Sequence, residues 1–165
     1  MKAVVVYESL WGNTAAVAKA IAEGIGPGTE ALTTEQASPT FLRDADLVVA
    51  GAPVVAFGLP SDAIREKLAA DPGKAPTPPD LAHQSMRAWL VELPVGQGCA
   101  AAFETGLRWS PGGATSTISR GLEAAGYRPA LKSTRFVVKG MYGPLRPGEL
   151  EKARAWGAAL AQAVS

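Results

Sequence analysis

Val4-Val5-Val6-Tyr7-Glu8-Ser9-Leu10-Trp11-Gly12-Asn13-Thr14 is the stretch whose reading decides the fold. Its β-branched run predicts a buried strand, and the hydroxyl, glycine and Asn-Thr pair that follow predict a turn. A helical apolar pattern begins at once, with Val17, Ala18, Ile21, Ala22 and Ile25 falling on one stripe. The unit is therefore a strand, a turn and a helix N-terminus. The first N–H groups of a helix have no intrahelical partner, and the helix dipole adds partial positive charge at the same end. Such a turn can hold an anion, phosphate above all, when the backbone can come close to it. Gly12 gives that freedom, Ser9 and Thr14 add hydroxyl donors, and Asn13 or Thr14 is placed to cap the helix.

Outward from this unit the same alternation repeats. A weak, polar strand is expected near Glu30 to Thr34, at a sheet edge. Asp46 to Pro53 is a second strong strand, apolar without alternation, as in a sheet covered by helices on both faces. Ser61 or Asp62 can cap a short helix carrying Ile64 and Leu68, and the proline-rich run Asp71 to Asp80 predicts an exposed connection. A helix is expected over His83 to Leu93, a buried strand over Gln97 to Phe103, and a loop over Glu104 to Gly113. A helix over Thr115 to Ala125, a last strand over Ser133 to Lys139 with Ala130-Leu131 leading into it, and a helix over Glu149 to Val164 complete the chain. This order predicts a parallel sheet with right-handed crossovers and helices on both faces.

The bulk properties exclude several classes. The 165 residues fit one domain, and 47% hydrophobic with 19% charged residues is ordinary for a globular chain. No apolar run approaches the roughly 20 residues that cross a bilayer, so no membrane partner is expected. Lys2 leads straight into a strand the fold needs, so no cleavable leader is expected, and the single cysteine, Cys99, points to a reducing cytoplasm and a buried strand position. The net charge of +1 divides into −4 over residues 1–85 (6 Lys+Arg, 10 Asp+Glu) and +5 over residues 86–165 (10 Lys+Arg, 5 Asp+Glu). Arg128, Lys132, Arg135 and Lys139 are scattered round one strand, a solvated face rather than a nucleic-acid site.

The segment Tyr7 to Thr14 resembles the phosphate loop of flavodoxin-like proteins, matching it at Ser9, Gly12, Asn13 and Thr14 and departing at Trp11, where many members have Thr. The resemblance implies a three-layer α/β/α, doubly wound fold with a five-stranded parallel sheet of order 2-1-3-4-5 over the whole chain. It also implies FMN as the cofactor, with Ser9, Leu10, Trp11, Gly12, Asn13 and Thr14 around its phosphate. In open sheets of this kind ligands bind beyond the carboxyl ends of the strands, where the strand order reverses. The loop after Gly51 resembles the second flavin-contacting loop, which sets Pro53, Val54, Val55, Ala56, Phe57 and Gly58 against one face of the ring. Val54 and Val55 stand where Thr followed by an aromatic residue is frequent. The resemblance sets Phe103, Glu104, Thr105 and Gly106 at the other face and the pyrimidine edge, with Phe103 or Trp109 as the stacking aromatic. A carboxylate at Glu104 would disfavour the anionic reduced ring and a guanidinium at Arg108 would favour it.

These residues suit an electron carrier or a small FMN-dependent oxidoreductase working with a redox partner, as a monomer or weak dimer. No acid-base set is evident. His83, the sole histidine, is expected at a surface or helix start, and no clustered metal ligands occur. A phospho-receiver of the same strand order needs an Asp at the end of its third strand, where this chain has Gly51-Ala52-Pro53. Trp11, Val54 and Val55 motivate an alternative, a partner-binding module of the same fold with weak or no FMN binding.

Overall fold

The valines at 4 to 6 are wholly buried because β1 (Ala3–Tyr7) lies inside a sheet covered on both faces. The computed structural model describes residues 1–71 and 73–165; of the proline-rich connection, Pro72 lies outside the described residues. β1 pairs in parallel with β2 (Glu30–Thr33) on one side and β3 (Leu47–Pro53) on the other, and β3 pairs with β4 (Cys99–Leu107). The fifth position is shared: β5 (Arg128–Pro129) pairs with the start of β4 and β6 (Thr134–Val138) with its end. The order is thus β2-β1-β3-β4 and then β5 with β6, the expected 2-1-3-4-5 with its last strand interrupted after Pro129.

Side chains alternate across the strands, so each strand feeds two cores. Ala3, Val5, Leu47, Val49, Ala101 and Phe103 face α1 (Asn13–Ile25) and α6 (Glu149–Val164). Val4, Val6, Val48, Ala50, Ala100 and Ala102 face the opposite layer, where α2 (Pro39–Leu42), α4 (Met86–Val91) and α5 (Thr115–Ala124) bring Leu42, Met86, Trp89, Ile118 and Leu122. The remaining helix, α3 (Asp62–Ala70), buries no side chain fully; the Ser61 hydroxyl caps it by accepting from Ile64 N–H at 3.2 Å.

Two boundaries correct the sequence expectations. β4 continues through Glu104, Thr105 and Gly106 to Leu107, where a loop was expected from Glu104 onward. The charge at Glu104 suggests a loop, but Arg135 faces it in register on β6 and its guanidinium Nε donates to the carboxylate at 2.7 Å. The helix expected over 83–93 is confined to Met86–Val91, capped by the Ser85 hydroxyl accepting from Ala88 N–H. Residues 80–85 instead turn back onto the loop after β1: Asp80 N–H donates to Leu10 O at 2.8 Å. Cys99 is half-buried at the first position of β4.

Candidate functional site

The loop after β1 is built round the Ser9 hydroxyl. Gly12 N–H and Ala15 N–H donate to Ser9 Oγ at 3.1 and 3.2 Å, closing the turn from within, and Gly12 takes φ +94°, a left-handed conformation that glycine adopts without steric penalty. Thr14 Oγ1 lies 2.8 Å from Thr105 Oγ1 in a buried bond that ties the start of α1 to β4. Asn13 Nδ2 donates to Tyr142 O at 3.2 Å. Among the described residues, the N–H groups of Leu10, Trp11, Asn13 and Thr14 have no protein acceptor. The buried Trp11 Nε1–H has none either, while its ring meets Tyr142 edge-on at 4.8 Å. Unmatched donors at the head of a 13-residue helix make an electropositive cradle.

Behind the loop is a buried polar network. Ser9 N–H donates to His83 Nε2 at 3.1 Å. Glu8, fully buried, accepts from Arg65 Nη1 at 2.5 Å and from Met86 N–H at 3.0 Å, and Arg65 Nη2 reaches His83 O at 2.6 Å. His83 Nδ1 is 3.7 Å from the Asp80 carboxylate. Burial holds the His83 pKa below the usual 6.5, outweighing Asp80, Glu8 and Glu35, which raise it, while Arg65 adds to the lowering. Tyr7, at the end of β1, is pushed up by burial first and by Asp80 second. His83 is therefore an internal support of the loop rather than a surface residue. Its contact with Ser9 spans 74 positions of sequence, beyond any local pattern; its solitude and the Asp80–His83 spacing are the only hints the sequence holds.

In front of the loop lies a cavity of about 210 Å³. Leu10, Trp11, Asn13 and Thr14 form one wall, and Pro53, Val54, Val55, Ala56 and Phe57 form the second. Thr105, Gly106, Leu107, Ser110, Val138 and Met141 close it. The second wall is fixed by a tight turn: Val55 and Gly58 exchange backbone hydrogen bonds of 2.9 and 3.2 Å, and the two residues between them, Ala56 and Phe57, have φ of +49° and +69°. Such angles strain residues other than glycine, and strain of this kind concentrates at functional sites. Phe57 O in turn accepts from Gly113 N–H at 3.2 Å. Leu107, Ser110, Val138 and Met141 are lining residues that the sequence did not single out; the Gly-flanked Met141-Tyr142 pair after the last strand is the signal that points there.

Two of the expected contacts are corrected. Phe103 is fully buried on the α1/α6 side, edge-on to Phe136 at 6.1 Å and over Gly51, so it offers no ring to the cavity. Glu104 is 5% exposed and fully engaged: besides Arg135 it accepts from Ala114 N–H and Thr115 N–H at 2.6 and 3.0 Å, capping α5. Arg135 also donates to Leu107 O, Ser110 O and Gly112 O, so it organises the loop after β4 rather than sitting on a solvated face. Trp109 is 88% exposed and caps no core. Ser9, Gly12 and Gly58 shape the loops without lining the cavity. Among the described residues, no group of three His, Cys, Asp or Glu is placed to hold a metal ion, and no helix is long and apolar enough to cross a membrane.

Known structures match this architecture over nearly its whole length. A flavodoxin from the domain Archaea superposes with a TM-score of 0.66 at 22% identity, covering 99% of each chain. The fold is flavodoxin-like. Flavodoxin 1 from Bacillus cereus gives 0.65 at 18% identity over 98% of each chain. The Flv1 flavodiiron core from Synechocystis gives 0.61 at 20% identity over 98% of this chain and 35% of that one. No protein-family model and no curated protein sequence matches the flavodoxin-like chain.

Proposed function

We propose that the cavity binds FMN and that the chain is an electron-transfer protein of flavodoxin type. The observation that carries this reading is the set of unmatched donors on Leu10, Trp11, Asn13 and Thr14, standing at a helix N-terminus and at the edge of an apolar cavity. A phosphate supplies the acceptors these donors lack, and the helix end favours its charge. Val54, Val55, Gly106, Leu107 and Val138 give dispersion contacts to a flat ring, and Thr105 and Ser110 give a few polar ones, the usual make-up of a cofactor site. The cavity is smaller than the roughly 300–1,000 Å³ of typical ligand pockets, so a flavin filling it would keep an edge in solvent. Bound there, FMN supplies one- and two-electron chemistry. The residues of this chain hold its phosphate, orient its ring and keep water from the inner face, and none of those lining the cavity is an acid or base.

The test is a titration of the purified chain with FMN. Tryptophan emission should fall, because Trp11 lines the cavity, and FMN at 100 times its Kd should stabilise the fold by about 2.7 kcal/mol. A colourless protein whose emission and melting temperature ignore FMN would leave the partner-binding module, with Trp11, Val54 and Val55 closing the site, as the better reading.

A further inference from the structure

The cavity mouth carries apolar side chains that extend from the cavity into solvent. Phe57, Leu107, Trp109 and Met141 are exposed by 69%, 42%, 88% and 48%; Leu107 ends β4, the other three stand on loops, and all line or adjoin the cavity. Apolar side chains of this size grouped on one rim mark an interaction site. The charges on the same loops have a single sign. Residues 9–13, 53–61, 107–114 and 139–148 contain Arg108, Lys139 and Arg146, all exposed, and no Asp or Glu. Of the acids nearest in sequence, Glu8 is paired with Arg65, Glu104 with Arg135 and Glu149 with Lys152 at 3.6 Å, while Asp62 sits in the first turn of α3. The Arg108 guanidinium lies 5.6 Å from the Trp109 ring centre, so the largest anchor and one cation form a single feature.

We propose that this rim docks an acidic protein, with Phe57, Trp109 and Met141 as anchors and Arg108, Lys139 and Arg146 selecting the partner's charge. Trp, Phe, Met and Arg are the residues enriched at protein interfaces and their energetic centres. Complementary potentials raise association rates and exclude like-charged partners. A second copy of this chain would bring three cations against three cations, which disfavours it. A small free anion would engage the cations but leave Trp109 and Phe57 in water. The proposal deepens the electron-carrier reading by giving the chemical class of the redox partner; it rests on that reading for what docking accomplishes, while the surface exists whether or not flavin is bound.

The experiment is calorimetric binding of the full chain to two probes, an acidic [2Fe–2S] ferredoxin and a basic cytochrome c, with FMN titrated separately into every variant. At an ionic strength of about 10 mM, where screening is weak, the ferredoxin should bind and the cytochrome should not. Arg108→Glu combined with Lys139→Glu should weaken ferredoxin binding at least about tenfold and admit the cytochrome. Trp109→Ala should weaken ferredoxin binding and leave its salt dependence intact. FMN affinity should stay constant throughout, since none of these residues lines the cavity. Absence of ferredoxin binding at low salt, or binding indifferent to the charge reversals, overturns the proposal. So does self-association of the wild type that the reversals abolish, which assigns the rim to a second copy. If FMN fails to bind while ferredoxin binding follows the variants, the docking surface stands and the flavin reading falls.

Discussion

Glu104 shows how one carboxylate can be read two ways. On the sequence it stands beside a presumed ring and tunes a potential; in the fold it ties β4, β6 and the start of α5 together through Arg135, Ala114 and Thr115. Hydrogen bonds to a charged group contribute about 1.5–3 kcal/mol each net, so Glu104→Gln, which keeps one acceptor but loses the charge, should lower unfolding free energy by about 2–3 kcal/mol. Urea denaturation measures this, and a midpoint equal to wild type would show that the ion pair with Arg135 is dispensable. His83 acts by its protonation state. As an acceptor for Ser9 N–H it must be neutral at Nε2, and burial depresses its pKa below 6.5. The unfolded chain therefore binds the proton first as pH falls: the stability is full above about 6.5 and declines as pH drops through that value toward the folded pKa. His83→Gln offers an amide oxygen in place of the imidazole and does not titrate. Its urea midpoint should vary less than wild type between about pH 7 and 5, and parallel pH profiles for the two proteins would remove His83 from this role.

Among the elements, the α1/α6 pair is held by closeness of backbone. A Cβ at Gly157 would overlap Ile21 O, and one at Gly24 would overlap Arg154 O. On an exposed helix Gly→Ala gains about 1 kcal/mol from propensity. Here the obstacle is backbone on the facing helix, and overpacking of this kind costs about 1–3 kcal/mol. Gly157→Ala should therefore destabilise, measurably in thermal melts, and a rise in melting temperature would mean that α6 shifts at no cost. The elements differ in how legible they are. The Val4–Thr14 unit, the strand ending at Pro53 and the helices α1 and α6 are readable because the strands are short, continuously buried apolar runs, the helices carry an apolar stripe of period 3.6, and the turn chemistry agrees. The end of β4 is not, because Glu104 is neutralised by a residue 31 positions away. The stretch before α4 is not, because Asp80 and His83 are placed by contacts with Leu10 and Ser9 rather than by a repeat. In the site, loops one and two were readable as candidate ligand loops, whereas Val138 and Met141 enter the cavity only because β6 pairs with β4.

For the molecule as a whole, the sheet couples everything. Its two cores hang on alternate residues of the same strands, so losing one exposes the other. Strands β2, β1 and β3 come from the acidic part of the chain, and β4, β5 and β6 from the basic part, so the uneven charge along the sequence becomes a difference between the two sides of the sheet. The tryptophans report on separate places: Trp89, 2% exposed and bonded to Ala37 O at 3.1 Å, lies in the α2/α4/α5 core, while Trp156 packs edge-on to Phe136 at 6.1 Å beside α1. Because neither face can be lost alone, variants keeping only Trp89 or only Trp156, with the other tryptophans changed to Phe, should each melt with coincident fluorescence and far-UV circular dichroism, the sign of a two-state transition. FMN should move both signals together, by about 5–10 °C at 100 times its Kd, since 2.7 kcal/mol at about 2–4 °C per kcal/mol is expected for a chain of this length. A Trp156 signal that fades before the circular dichroism would show α1 and α6 leaving the sheet on their own. The helix that follows the loop after β1 would then be a separable element, and FMN should shift the Trp156 transition more than the Trp89 one.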